Sequence, residues 1–306
     1  MTSSLVGAAP LPHLGVIRAE GEDAAKFLQG QLTQDFALLG PGQARLAAFC
    51  NAKGRMQASF VALPLAPGDF ALVVSRDLLA QTLKRLSMFV LRAKVRLSDA
   101  TEAFQLRGLA GASVARAAGG AAPAPWAHVV NDGAHLVGLY PADGQPLALW
   151  LAPAGAALPD VPALDEGLWR WAEVRSGVAQ VSAPVFEAFV PQMLNYESVE
   201  GVNFKKGCYP GQEVVARSQF RGTLKRRAFP AHCDQALAAG KELFHASDPE
   251  QPCGLVGQAA PAPGGGWDAI VSLQLTATEG GRLTAGTADG PAVVLGTLPY
   301  PLLADI

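Results

Sequence analysis

Cysteine is scarce in this chain, and charge is thin. Only four cysteines occur among 306 residues: Cys50, Cys208, Cys233 and Cys253. None forms a CxxC pair, and no histidine stands at ligand spacing from any of them, which argues against a zinc site or a self-contained iron–sulfur site. So few cysteines in so long a chain also argue against a disulfide framework. The default state for each is a reduced, mostly buried thiol. Charged residues make up 16% of the sequence, too few for long disordered arms to be expected of so apolar a chain. With 24 basic and 26 acidic residues the net charge is −2, and no general nucleic-acid footprint follows from that balance. A local basic cluster stands at Lys225-Arg226-Arg227. No apolar run reaches the roughly 18 residues that indicate a membrane span. The opening "MTSSLVGAAPLPHLGVIRAEGED" has no basic n-region, its first arginine is Arg18, and it reads poorly as a signal or transit peptide. The expectation is a soluble cytoplasmic protein with no membrane and no nucleic-acid partner.

Several catalytic signatures are missing as well. No GxGxxG follows a strand, and GxxxxGK[ST], HExxH and GxSxG do not occur. The five histidines, His13, His128, His135, His232 and His245, are scattered and read as surface or loop residues rather than general bases. The common hydrolase and NTP-dependent classes lose their support.

Half of the residues are apolar, enough for sizeable cores, and the length exceeds what one core usually holds, so two or three domains are expected. The first hundred residues interleave strand and helix patterns. "HLGVIRAEG" reads as a strand. "GEDAAKFLQGQLTQD" reads as a helix with Ala24, Phe27, Leu28 and Leu32 on one face and with Glu22 and Asp23 in its first turn, where the dipole favours them. "ARLAAFC" and "MQASFVAL" flank the turn "NAKGR", and "DFALVVS" is a further strand. "RDLLAQTLKRLSMFVLRA" gives the strongest helical pattern, with Leu79, Leu83, Leu86 and Val90 recurring at three- and four-residue steps. "AKVRLSD" and "FQLRGL" return to strands, which makes an α+β region. "AAGGAAPAP" (117–125) marks a loop or a subdomain boundary. Strands near "AHVVN", "HLVGLY" and "LALWLA" follow, then a helix in "LDEGLWRWAEVRSG", opened by Asp165 and Glu166 and closed by Gly177. From about residue 226 short apolar runs alternate with Gly-rich turns, the texture of a small all-β sandwich or barrel. The domains expected are 1–225, made of two interleaved α+β subdomains, and 226–306, a β-barrel.

One segment carries possible chemistry: "NFKKGCYPGQEVVAR" (203–217). Gly207 leaves the backbone beside Cys208 open to close approach. Pro210-Gly211 sets a turn, and "GQEVVAR" begins a helix with Glu213 in its first turn. A thiol before a helix N-terminus and near lysines sits in an electropositive setting that lowers a cysteine pKa from about 8.5 into the range of roughly 3.5 to 7.5. The competing reading makes Cys208 a buried filler beside an ordinary solvated lysine pair. The dense polar surroundings of Lys206, Gln212, Glu213 and Arg217 weigh against it.

This segment, "KKGCYPGQEVVARSQFRGTLKRR", preceded by "FVPQMLNYESVEGVNF", resembles the signature of the YgfZ family of folate-binding proteins. These are relatives of the glycine-cleavage T-protein, an aminomethyltransferase, and are implicated in iron–sulfur cluster assembly or repair. The pattern K-G-C-Y-x-G-Q-E-x-x-A-R is matched at Lys206, Gly207, Cys208, Tyr209, Gly211, Gln212, Glu213, Ala216 and Arg217. "FLQGQLTQD" (27–35) and "CNAKGRMQAS" (50–59) lie in family order too. The resemblance implies a GcvT/YgfZ-like three-domain ring of two α+β domains and a C-terminal β-barrel around a central folate site. It implies tetrahydrofolate or a one-carbon derivative as ligand, no metal, and client iron–sulfur proteins or cluster-assembly factors as partners. Cys208 is then the working thiol with Lys206 beside it, and Trp169, Tyr209, Gln212, Glu213, Arg217 and Asn195 are the expected folate contacts, with Gln192 and Arg221 as further possibilities.

Two positions depart from the T-protein pattern. Its aspartate pair aligns with Ala58 and Ser59, neither of which can act as a carboxylate base. That counts against glycine-cleavage chemistry and leaves enzymatic activity open. A tryptophan that some relatives place against folate aligns with Leu14, and Arg175 stands where a folate-holding glutamate is common. The alternatives carried beside the accessory role are a folate-dependent aminomethyltransferase and a ligand-free scaffold for client iron–sulfur proteins.

Overall fold

Period-two alternation sets up the strands, and chain order decides how they are shared between sheets. A short strand, β1 (Gly7–Pro10), joins a sheet completed far downstream, while β2 (Leu14–Glu20) opens a different one. That first sheet has the order β3 (Arg45–Cys50), β4 (Met56–Ala66), β5 (Asp69–Ser75), β2 and β6 (Arg96–Asp99). The second has the order β1, β7 (Phe104–Ala110), β10 (Gln145–Pro153), β9 (Ala134–Ala142) and β8 (His128–Asn131). All their pairings are antiparallel. The remaining strands, β11 (Arg226–Cys233), β12 (Glu242–His245), β13 (Asp248–Pro261), β14 (Trp267–Gln274), β15 (Leu283–Ala285) and β16 (Ala292–Leu295), close into a barrel. The computed structural model describes residues 5–220 and 224–303, and Arg221 lies outside them. The architecture is α+β with a C-terminal barrel that begins at Arg226.

Local sequence accounts for most elements. Helix α1 (Ala24–Gln31) buries Ala24, Phe27 and Leu28, with Leu32 buried at its C-cap, the face its spacing marks out. Glu22 and Asp23 precede the helix rather than enter its first turn. The Asp23 carboxylate accepts from Lys94 N at 2.8 Å, and Glu22 pairs with the Lys94 ammonium. Helix α2 (Arg76–Ser87) stops short of its apolar pattern. Ser87 Oγ donates back to Leu83 O, the next turns tighten to three-residue hydrogen bonds, and Leu91 takes φ +41°. Helix α3 (Ala112–Ala118) was not legible in its Ala-rich sequence. It ends on Gly119 at φ +69°, so the stretch 119–125 is a connection within one sheet, between β7 and β8, and not a boundary. Helix α4 (Glu166–Arg175) is capped by Asp165, whose carboxylate accepts from Leu168 N. Helix α5 (Gln212–Phe220) follows the cysteine loop.

The largest apolar cluster does not belong to one unit. It runs from Leu14, Leu46 and Met56 of the first sheet through Leu149 and Trp169 to Ala228 and Ile270 of the barrel. Buried polar contacts fix this junction. Asn195, fully buried at φ +58°, donates through Nδ2 to Ala228 O at 2.9 Å and accepts at Oδ1 from Ala228 N at 3.2 Å. The Tyr300 hydroxyl donates to Gly177 O at 2.8 Å, and the buried carboxylate of Glu197 holds the Arg227 guanidinium.

Alanine at 195 leaves both Ala228 groups buried without partners and keeps a left-handed backbone that alanine disfavours. Asn195→Ala is expected to lose about 3 kcal/mol of stability, read as a lowered urea midpoint at unchanged slope.

Candidate functional site

Trp169 and Glu173 stand four residues apart on α4, so they share one face of the helix. That face looks into a cavity between the two sheets and the barrel, with an empty volume of about 690 Å³ including the solvent at its mouth. Leu14, Val73, Leu139, Tyr140 and Tyr196 give it mainly apolar and aromatic walls. The Trp169 indole lies against β7 at Gly108, where an added Cβ would come within 2.3 Å of the ring. The indole Nε1 donates to Glu173 Oε1 at 2.9 Å, and His13 Nε2 reaches the same oxygen at 3.1 Å. The second oxygen, Oε2, is buried without a hydrogen-bond partner, and Arg170 Nε stays 3.8 Å from it. Among the described residues Glu173 is the only charged one in the lining, with no lysine or arginine there. Ser59 also lines it, its hydroxyl accepting from Val181 N at 2.9 Å, whereas Ala58 is buried in the separate cluster behind the first sheet.

The cysteine loop is built elsewhere. Gly211, at φ +80°, lies on the turn between β3 and β4, where an added Cβ would meet Asn51 O at 2.4 Å and Gly54 Cα at 2.7 Å. Asn51 shapes that turn by accepting from Lys53 N and Arg55 N. Lys206 is buried, and its ammonium donates to the carbonyls of Gln29 and, at 2.7 Å, Leu32 at the C-terminal end of α1. It also lies 4.6 Å from the centre of the Tyr209 ring. Burial pushes its pKa down to about 8, with Asp35 and Cys208 acting in the opposite direction. Thr33 and Asn203 add two links between the same segments, Thr33 Oγ1 to Gly201 O and Asn203 N to Thr33 O. The stretches 27–35, 50–59 and 203–217 therefore converge on one structural unit. At its surface Cys208 is exposed, while Cys50, Cys233 and Cys253 are buried. Burial pushes the Cys50 thiol up to about 12.

The residues expected to act together fall into two groups. Of the expected folate contacts only Trp169 lines the cavity; Tyr209, Gln212, Glu213, Arg217 and Asn195 do not. Tyr209 is buried against Lys206, and Glu213 and Arg217 form an exposed pair one helical turn apart. Asn195 has its amide engaged by the barrel strand, and Gln192 Nε2 donates to Val215 O at 2.7 Å, so both serve the backbone. Lys206, expected beside the thiol as a reactive partner, has its ammonium occupied by the α1 carbonyls. Arg175 points out of the cavity to Asp143 at 2.7 Å and over Trp171, whose Nε1 donates to Asp268 of the barrel. The carboxylate of the cavity comes from Glu173, two residues earlier. Its i,i+4 spacing from Trp169 was the available signal. The histidines are less superficial than their scatter implied: His128 and His245 are buried, and His13 holds Glu173.

Comparison with known proteins agrees with this architecture. Residues 1–121 match the family of the GCVT N-terminal domain. The tRNA-modifying protein YgfZ of Edwardsiella ictaluri is 31% identical over 250 residues, covering 76% of this chain and 71% of that protein. The protein of the same name from Vibrio vulnificus is 31% identical over 233 residues, covering 72% and 68%. Among solved structures, the glycine cleavage system aminomethyltransferase T from Bartonella henselae superposes with a TM-score of 0.70 at 18% identity, over 98% of this chain and 87% of that one.

The Lys206 contacts have a measurable signature. Lys206→Met leaves two helix-end carbonyls without their donor and is expected to cost about 1–3 kcal/mol. The unfolded chain keeps this proton up to about pH 10.5 and the folded protein only to about pH 8. Between those values the unfolded state binds more protons, so the Lys206 contribution grows as pH rises. The stability gap between wild type and Lys206→Met is expected to be flat below pH 8 and to widen above it in urea titrations.

Proposed function

The chain belongs to the YgfZ family, and on that footing we propose that it is a tetrahydrofolate-binding accessory protein for iron–sulfur cluster assembly or repair, with Cys208 as its working thiol. The observation that carries the ligand half is Glu173, a carboxylate in an otherwise apolar and aromatic cavity whose Oε2 has only a long ion pair to Arg170 and accepts no hydrogen bond among the described residues. A carboxylate oxygen withdrawn from water without a hydrogen-bond donor is costly. A pterin's amino-pyrimidinone edge presents two parallel N–H donors, the pattern a carboxylate accepts best. Glu173 would hold that edge, Trp169 and Tyr140 would face the flat ring, and Trp169 and His13 keep the carboxylate oriented. Bound tetrahydrofolate would supply a carrier for a one-carbon unit.

The thiol half is supported by contrast among the cysteines. Three are buried, and Cys208 is exposed on a loop whose backbone is fixed from below by Gly211 and Lys206. One cysteine cannot hold a cluster alone, so the remaining ligands would come from a client protein. The curated relatives are named for tRNA modification. In this reading the modified tRNA is the product of a client enzyme, which needs no nucleic-acid surface here. An aminomethyltransferase reading gains nothing from the cavity, where Ser59 stands and Ala58 faces away.

Trp169→Ala is a poor probe, because emptying so buried a ring costs about 3–5 kcal/mol of stability on its own. Glu173→Gln is isosteric and is expected to weaken tetrahydrofolate binding at least tenfold in calorimetry with the fold retained. Unchanged affinity in that variant removes the carboxylate from the site. Cys208→Ala is expected to bind tetrahydrofolate like wild type yet fail to restore iron–sulfur enzyme activity in a deletion strain. Full restoration excludes the thiol.

A further inference from the structure

The cavity contains no cation, yet any folate carries carboxylates on its glutamate tail. A second groove shares the Leu11 and Leu14 wall with the cavity and has an empty volume of about 570 Å³. It is lined by Arg76 and Arg107, with Thr101 and Gln105 beside them, and by no acidic residue. It lies where the chain leaves β1 after Pro10, so that β7 beyond Arg107 has no neighbour on that side.

The state of each polar group decides what the groove can bind. Gln105 Nε2 already donates to Ala156 O at 2.9 Å, and Thr101 Oγ1 donates to Asp99 at 2.6 Å. Arg76 makes one long, exposed contact to Glu102, at 3.4 Å. Arg107 differs from both. It is half-buried, its side chain has no hydrogen bond or ion pair among the described residues, and its Nε is buried without a partner. An Nε withdrawn from water without an acceptor is costly, and with the terminal nitrogens still reachable it is satisfied best by a carboxylate that engages two N–H groups of the guanidinium together. Arg217 and Lys206 near the cysteine loop offer no equivalent, and Lys205 there is exposed. The first is paired with Glu213, and the second is occupied by the α1 carbonyls.

We propose that the Arg107 groove is the carboxylate subsite for the tail of the ligand whose ring occupies the Trp169–Glu173 cavity, with Arg107 as the specificity-determining residue and Arg76 meeting further carboxylates of a polyglutamate chain. This rests on the folate reading of the cavity. It makes the protein select ligands that carry a carboxylate tail over tailless pterins.

The test is calorimetric titration of the full chain with two probes, tetrahydrofolate and 6-methyltetrahydropterin, which has the ring and no tail. Wild type is expected to bind tetrahydrofolate more tightly. Arg107→Gln is expected to lose about tenfold in tetrahydrofolate affinity with tetrahydropterin affinity unchanged, and added salt is expected to narrow the gap between the variants. Arg107→Lys, which keeps the charge and loses the planar fork, is expected to fall between them, and it is the variant to read if Arg107→Gln does not fold. Equal tetrahydrofolate affinity in wild type and both variants, or an equal loss for both probes, overturns the tail subsite and leaves the ring site standing. A wild type that binds neither probe overturns the folate reading and this inference with it.

Discussion

Everything in this molecule depends on a three-way junction whose apolar core is shared by two sheets and a barrel. No unit buries its own share of that core alone, since Trp169, Tyr196, Ala228 and Ile270 come from different parts of the chain. Shared burial is non-directional, and by itself it would not fix how the units sit. Orientation comes from buried polar groups, which are costly unless paired and so tolerate few arrangements. Asn195 on the barrel strand, Tyr300 on Gly177 and Glu197 on Arg227 each close one side of the junction. Where the three units meet they leave a cavity, and Glu173 brings a carboxylate to its lining.

The motif that identifies the family is mostly about construction. Of the matched positions, Lys206 holds the end of α1, Gly211 admits the β3–β4 turn, Tyr209 covers the Lys206 ammonium, and Glu213 and Arg217 pair across one turn of α5. Their combined effect is to hold Cys208 at the surface on a backbone fixed from three directions. A rigid support under an exposed nucleophile or ligand is what a functional loop needs. It also explains why so specific a pattern does not mark the cavity.

Much of the fold was legible because periodicity reports on burial. The α1 face, the β3–β4 hairpin, the Asp165 cap and the change of texture at residue 226 all correspond to observed elements. The misses have local causes. Helix α2 shortened because a side-chain hydrogen bond and a left-handed Leu91 ended it against an apolar pattern that continues. Helix α3 hid in an Ala-rich stretch with little polar contrast. The candidate site was legible only in part. Trp169, expected against a folate ring, lines the cavity, whereas Glu173 is hidden in the sequence behind Arg175, which stands at the aligned position. On a helix those two positions point about 200° apart, so a carboxylate two residues away faces the opposite side. Asn195 looked like a ligand donor, since sequence cannot tell an amide aimed at a cavity from one aimed at a strand. Arg107 gave no signal, because its significance lies in partners it lacks.

The cavity and the cysteine loop are separate sites on one strut. The segment from Glu187 to Tyr196 bonds to the first sheet at Met56, through Glu187 N to Met56 O and Met56 N to Phe189 O, each near 2.9 Å. Farther along, Gln192 holds Val215 of α5, the helix that follows the thiol loop. At its end Tyr196 lines the cavity and donates to Ala179 O at 2.6 Å. Three residues thus separate the anchor of the thiol's helix from a wall of the cavity, and all of that stretch but the part-buried Met193 is buried. Packed interiors of this density do not deform gradually. The wall of the cavity is therefore continuous with the support of Cys208, and the thiol's placement and the cavity are consequences of the same buried segment rather than two features that happen to share a chain.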